Sequence, residues 1–406
     1  MKKNIFSRID FVIIILISLL ITAGLIAVYS AVHAPGMAKN LYFKKQVIFA
    51  VSGFVFMLII AFIPFKLIER SAYFIYGTAL FLLLLVPLFG VKGFGAERWL
   101  AIGSFKLQPS ELAKLASVLA AARYLAKPEI EVNHWKSILI TLAIILLPFV
   151  LIAKQPDLGT SLVFLALLIP VLFWAGIRWF IIFIFVSPIL TAVFAFNFWA
   201  FLVWMLMVSA ILLLSKQNIS VLIFIFLVHI AVGLTTPILW GHLRPYQQQR
   251  ILTFANPEAD PKGAGYQIIQ SKTAIGSGGI WGKGFLHGSQ TQLKFLPAQH
   301  TDFIFSVIGE EFGFFGISIV IGLFILLFLY LLYLATNLRS VFASITLVGI
   351  TTILGFHVIV NIGMTVGLAP VTGLPLPFIS YGGSFLISVF IMIGFALNFS
   401  MNRYKS

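Results

Sequence analysis

The residue best suited to chemistry is Asp260, in the run Asn256-Pro-Glu258-Ala-Asp260-Pro261-Lys262-Gly-Ala-Gly265-Tyr266. Pro261 holds the aspartate extended, and Gly263 and Gly265 allow another backbone to come close. A carboxylate between Arg250 and Lys262, with apolar neighbours, can take a proton from a hydroxyl as a general base. It can equally close a turn, and the residues alone leave both readings open.

A second constellation is Arg98-Trp99, then Gln108-Pro109-Ser110-Glu111-Leu-Ala-Lys114. Pro109 predicts a helix start, and Glu111 and Lys114, three apart, then share one helix face. Glu111 could merely complement the helix dipole, but Lys114 is disfavoured by it. Ionisable residues at membrane depth pair and face polar cavities, so the two are expected to line one. In Lys154-Gln155-Pro156-Asp157-Leu-Gly159-Thr160, Asp157 opens an apolar run and could cap it or support the site from behind, with Gln155.

The glycine-rich run Ala274-Ile-Gly276-Ser-Gly278-Gly279-Ile-Trp281-Gly282-Lys283-Gly284 is not a Walker loop. Ser277 stands where its first Gly belongs, and Gly284 where Ser or Thr should follow the Lys. Its backbone could cradle a lipid phosphate or a saccharide, helped by Lys272 and Lys283. His300 and Asp302 are too few for a metal cage. Glu310 and Glu311 begin an apolar span and require a cavity or partners. Between Asn361 and Ser384, which includes Ser380, Pro and Gly break a helix at membrane depth, a feature tolerated only where backbone lines protein or water.

Composition dictates the elements that must position these groups. Of the 406 residues 61% are hydrophobic and 10% charged, too little polar surface for a cytosolic enzyme, a disordered chain or a secreted module. Apolar runs predict about twelve spans: 10–31, 47–64, 71–90, 110–126, 137–153, 161–176, 179–195, 198–214, 219–238, 303–334, 341–362 and 384–400. The expected fold is an all-α polytopic membrane protein, a single domain over 1–406. The pair 179–195 and 198–214, joined by Phe196-Asn197, reads as a tight hairpin or a re-entrant pair, and removing it leaves ten spans. The apolar stretch after Met1-Lys2-Lys3 is long and ends in no small-residue cleavage site, so it reads as a retained first helix.

Cysteine is absent, which excludes disulfides and thiolate chemistry. The net charge is +15, but the basic residues are scattered, which argues against nucleic acid as a partner. Short loops and termini place both chain ends in the cytoplasm. The opposite side carries almost as many Lys and Arg, so an anionic ligand is expected there. That side also holds the one long loop, 239–302.

In order, Gln108-Pro-Ser-Glu111-x-x-Lys114, Gln155-Pro-Asp157-Leu-Gly-Thr160, Asp260-Pro-x-Gly-x-Gly-Tyr266, the stretch Ala274 to Phe295, His300-Thr-Asp-Phe-Ile-Phe305, Gly309-Glu-Glu311 and Pro377-x-x-Ser380-Tyr-Gly-Gly383 resemble the SEDS family of shape, elongation, division and sporulation proteins. The Ala274–Gln290 wording is similar to its elongation branch. The resemblance implies a peptidoglycan glycosyltransferase of the bacterial inner membrane, polymerising lipid II at the outer leaflet during elongation and rod-shape maintenance. A lipid II flippase or a non-catalytic scaffold is the alternative. By resemblance Asp260 is the essential aspartate, and Glu111 and Lys114 move into the catalytic cavity. Lys114, Arg98, Arg244, Arg250, Lys272 and Lys283 become candidates for the lipid diphosphate, aided at most by Mg or Mn. Asp157, Gln155, His300, Asp302, Glu310 and Ser380 become supporting residues. Implied partners are nascent glycan, a class B penicillin-binding transpeptidase and other elongation-complex membrane proteins. There are two departures: Ala298-Gln299 stands where the family often has Glu-Arg, and 179–214 adds a hairpin to the usual ten spans.

Overall fold

The computed structural model describes residues 9–33, 41–93, 96–103, 105–155, 157–215, 217–242, 248, 252–253, 258 and 265–403. Nine helices precede the long loop among these residues: α1 Phe11–Val32, α2 Leu41–Phe62, α3 Phe65–Phe89, α4 Pro109–Leu125, α5 Trp135–Lys154, α6 Leu158–Trp174, α7 Trp179–Phe194, α8 Phe198–Leu214 and α9 Ile219–His242. Within and after the loop come α10 Tyr266–Gly278, α11 Ser289–Gln292, α12 Ile304–Asn337, α13 Val341–Val366 and α14 Gly383–Met401. Each predicted span has its helix. Eight are long and apolar enough to cross a membrane, and α6, α7 and α8 are shorter apolar helices. The remaining one, α4, carries the buried Glu111 and Lys114.

The helices order themselves by what they bury. In the apolar windows of α13 and α14, 72% and 83% of residues are buried, against 11% for α9. α4 is buried almost throughout because Ala113, Ala116, Ser117, Ala120, Ala121 and Ala122 are small enough to admit neighbouring backbones. Asp10 ties one face of the bundle together, accepting from Tyr330 Oη at 2.8 Å and Ser400 Oγ at 2.8 Å.

One feature departs from the sequence reading. The segment 91–107, read as a connection, is a three-stranded antiparallel meander of β1 Val91–Gly93, β2 Ala96–Ile102 and β3 Phe105–Leu107. Its last two strands pair Leu100 with Leu107 and Ile102 with Phe105, turning at Gly103 with φ +62°. The pair α7–α8, joined at Phe196-Asn197 as a tight hairpin, packs with α9 around Phe180, Trp204, Val208, Leu212 and Ile225. His229 of α9 is fully buried there, its ring nitrogens meeting Ser187 Oγ at 3.1 Å and Thr191 Oγ1. Trp204 Nε1 donates to the same threonine hydroxyl at 2.8 Å.

Candidate active site

The face opposite Asp10 gathers helix ends and residues 265–302 of the long loop. Its geometry starts from a broken helix: α12 is interrupted at Gly313, with φ +63° and ψ −160°. A break strips carbonyls and N–H groups of their intrahelical partners, and buried groups of this kind must be satisfied elsewhere. The glycine-rich run does this. Lys283 N donates to Glu310 O and Gly284 N to Glu311 O, both at 3.0 Å, while Phe314 N and Phe315 N donate to Gly279 O and Ile280 O. A side chain at Gly278 or Gly282 would collide with the α12 backbone. The run expected to cradle an anion is therefore a clasp on a helix break, and its Lys283 and Gly284 amides are already in use.

Glu310 completes the clasp. It is fully buried and accepts from Lys283 Nζ at 2.9 Å, from Gln290 N at 2.8 Å, and from Thr291 N and Oγ1 at 2.9 and 2.8 Å. The partners it requires are thus all in the loop, and Lys283 is committed to it. Glu311, also buried, accepts from Ser30 Oγ of α1.

Deeper in, Lys114 donates to Glu111 Oε1 at 2.9 Å and lies 2.8 Å from Oε2. Lys114 is 0% and Glu111 4% exposed. The expected cavity-lining pair is instead enclosed: His357 of α13 and Phe385 of α14 close over it, with Phe385's ring 5.6 Å from the ammonium. Ser388 Oγ adds a bond to Glu111 Oε2 at 3.3 Å.

The broken segment 367–382 and the end of α13 together grip the loop just before α12. Three successive carbonyls are held: His300 O by Tyr381 N at 2.9 Å, Thr301 O by Ser380 Oγ at 2.6 Å, and Asp302 O by Asn361 Nδ2 at 2.9 Å. The side chains of this pinned tripeptide are less committed. His300 packs against the rings of Tyr42 and Tyr381, and burial pushes its imidazole down from the ordinary range. Asp302 makes no ion pair among the described residues. Burial raises its carboxyl to about 6, opposed by a hydrogen bond from Thr301.

That shift has a defined sign. The folded protein holds the Asp302 proton more tightly than the unfolded chain, so its contribution to stability is full below the unfolded value near 3.8 and is lost as pH rises through about 6. Thermal unfolding in detergent should therefore show the wild type losing stability between pH 4 and 6 relative to Asp302→Asn. Parallel pH profiles for the two proteins would refute the shift.

The other candidates distribute as follows. Asp157 caps α6, accepting from Thr160 N at 3.3 Å, and lies 3.6 Å from Arg98 Nη1. Gln155 Nε2 donates to Leu83 O at 3.1 Å and fastens α5 to α3. Ser380 also fixes its own turn by accepting from Leu376 N at 2.8 Å. Lys272 is exposed on α10 and lies beside Gly367 at the end of α13. Asp260, Arg244 and Arg250 lie outside the described residues. Sequence reasoning missed His357, Ser388 and Gln46, which bonds Ser380 O and Gly382 N, whereas Asn361 opened the broken stretch it singled out. A polar residue inside an apolar span was the available signal for His357 and Ser388, whereas Gln46 follows two lysines just before the predicted span 47–64. Among the described residues no three His, Asp or Glu side chains converge to hold a metal.

The family model described as cell cycle protein, covering FtsW, RodA and SpoVE, matches residues 10–203 and 181–405, two pieces that overlap in α7 and α8. The chain is 37% identical to peptidoglycan glycosyltransferase MrdB of Escherichia coli K12, covering 100% of this chain and 96% of that protein. It is 34% identical to peptidoglycan glycosyltransferase RodA of Treponema pallidum, covering 98% of each, and 32% identical to stage V sporulation protein E of Bacillus subtilis, covering 98% and 97%. Among solved structures it resembles a chain of a peptidoglycan synthase complex that coordinates polymerization and crosslinking, with TM-score 0.74, 28% identity and 98% and 99% coverage. It also resembles the rod shape determining protein RodA of Thermus thermophilus, with TM-score 0.65, 27% identity and 98% coverage of each.

Proposed function

The chain belongs to the FtsW, RodA and SpoVE family of cell cycle proteins, and from that premise we propose that it is a peptidoglycan glycosyltransferase of the elongation type. The observation that carries this is the end-to-end match to curated peptidoglycan glycosyltransferases, over 100% of this chain and 96% of the MrdB relative. The substrate is lipid II. The 4-hydroxyl of a GlcNAc unit attacks C1 of the donor MurNAc, the bond from C1 to the lipid diphosphate breaks, and the anomeric centre inverts to a β1,4 link. The hydroxyl proton passes to Asp260, and undecaprenyl diphosphate leaves.

The chemistry takes place on the face that holds the pinned 300–302 tripeptide and the Arg98–Asp157 pair, which in this reading is the outer side, with both termini cytoplasmic. Positive charge there stabilises the leaving diphosphate. Arg98, Lys272, Arg244 and Arg250 are the candidates for that role. Lys283 and Lys114 act from further back, since one is tied to Glu310 and the other is enclosed. A class B transpeptidase is the partner. Support comes from the synthase complex, which couples polymerization to crosslinking.

The test supplies labelled lipid II to the purified protein in detergent, with and without the transpeptidase and with and without chelator. Muramidase-sensitive glycan strands are expected. If wild type with its partner yields none, yet moves lipid II across a vesicle bilayer, the protein is a flippase and the proposal fails. A chelator-sensitive rate would place a divalent ion in the reaction.

A further inference from the structure

We propose that His357 is a positioning residue for glycosyl transfer, the link between the enclosed Glu111–Lys114 pair and the outward-facing loops. The inference rests on the glycosyltransferase reading above. His357 is 0% exposed and sits mid-span on α13. Its Nε2 lies 2.9 Å from Lys114 Nζ, and its Nδ1 lies 3.2 Å from Pro375 O. An ammonium has donors only, so Nε2 accepts, and the ring proton stays on Nδ1, aimed at the proline carbonyl. The neutral imidazole is thus polarised from both ends, between a cation and the backbone of the broken segment.

Pro375 belongs to the stretch that grips the outer loop. One helical turn from His357, Asn361 donates to Leu374 O at 2.7 Å and to Asp302 O at 2.9 Å. Residues four apart share a helix face, so one face of α13 carries both contacts. The connections run from Glu111 through Lys114 and His357 to Pro375, and from Leu374 through Asn361 to Asp302. A shift of His357 would therefore be felt at the tripeptide of residues 300–302. Phe385 stacks on the imidazole at a centroid distance of 4.9 Å, which offers a competing account in which the ring only packs.

The two accounts predict opposite orders of activity. His357→Gln keeps an acceptor oxygen and loses the ring. His357→Met is close to it in shape without the acceptor. His357→Phe keeps the ring and loses both hydrogen bonds. Positioning predicts that Gln retains most of the wild-type kcat for lipid II, while Met and Phe lose about tenfold or more with KM within about threefold, the pattern of a lost transition-state interaction. Equal kcat for Gln and Met, or Phe above Gln, overturns the proposal. Failure of all three variants to fold also overturns it, because His357 would then be a stability residue. Thermal unfolding is read in parallel: Gln more stable than Met registers the Lys114 bond even if wild type forms no glycan, which separates this inference from the function it rests on.

Discussion

Asp260→Asn is expected to reduce glycan-strand formation by about 10²–10⁴-fold, the usual contribution of a general base. The substitution keeps the size and planar shape of the side chain and removes its basic oxygen. The acceptor hydroxyl then has to attack with its proton still attached or pass it to water. By transition-state arithmetic the loss corresponds to about 3–5 kcal/mol of barrier. Lipid II should still bind, because the charges proposed for its diphosphate lie on other residues, so kcat falls while KM changes little. The measurement is labelled lipid II turnover by wild type and variant at matched unfolding temperature. A variant that keeps half or more of the wild-type rate places the base elsewhere, and Asp302, on the pinned tripeptide, is the next carboxyl to test.

The bundle itself was legible because membrane helices announce themselves by length and hydropathy. Twelve apolar runs became twelve helices, with boundaries shifted by a few residues and α2 and α3 each extended by about one to two turns. What escaped has a common cause: it depends on contacts between residues far apart in the chain. Lys114 and His357 are 243 positions apart, and no local pattern says that one will bond the other. The run from Gly276 to Gly284 has the composition of an anion nest, and only the break at Gly313 shows that its amides are needed by the α12 backbone. Asp157 was readable as a cap because an Asp opening an apolar run has few other local roles, and the structure shows that cap together with an Arg98 neighbour no local pattern announces. The strands at 91–107 escaped because they are short, interrupted by Gly95 and Gly103, and carry no alternating pattern.

Lys114→Met is expected to destabilise the protein by about 3–5 kcal/mol, the cost of leaving one charge of a buried pair uncompensated. Glu111 would keep its bond from Ser388 and lose its only salt-bridge partner among the described residues. Glu111→Leu should cost a similar amount from the opposite direction, leaving an enclosed ammonium with His357 as its remaining acceptor. The double variant separates architecture from chemistry. With both charges gone, an apolar pair of similar volume fills the space between α4, α13 and α14, and stability should return to within about 1–2 kcal/mol of wild type, since well-packed apolar replacements of buried ion pairs are often neutral or better. Glycan formation by the same double variant should stay at least about tenfold down, because His357 then loses its Lys114 partner and keeps only Pro375 O and the Phe385 ring to set its place against the segment that grips residues 300–302. Thermal unfolding in detergent and lipid II turnover read the two quantities independently. Full recovery of both would make the pair a packing element with no part in transfer. Recovered stability without recovered turnover would show that the pair's charges, although sealed from substrate, set the geometry in which the sugars are joined.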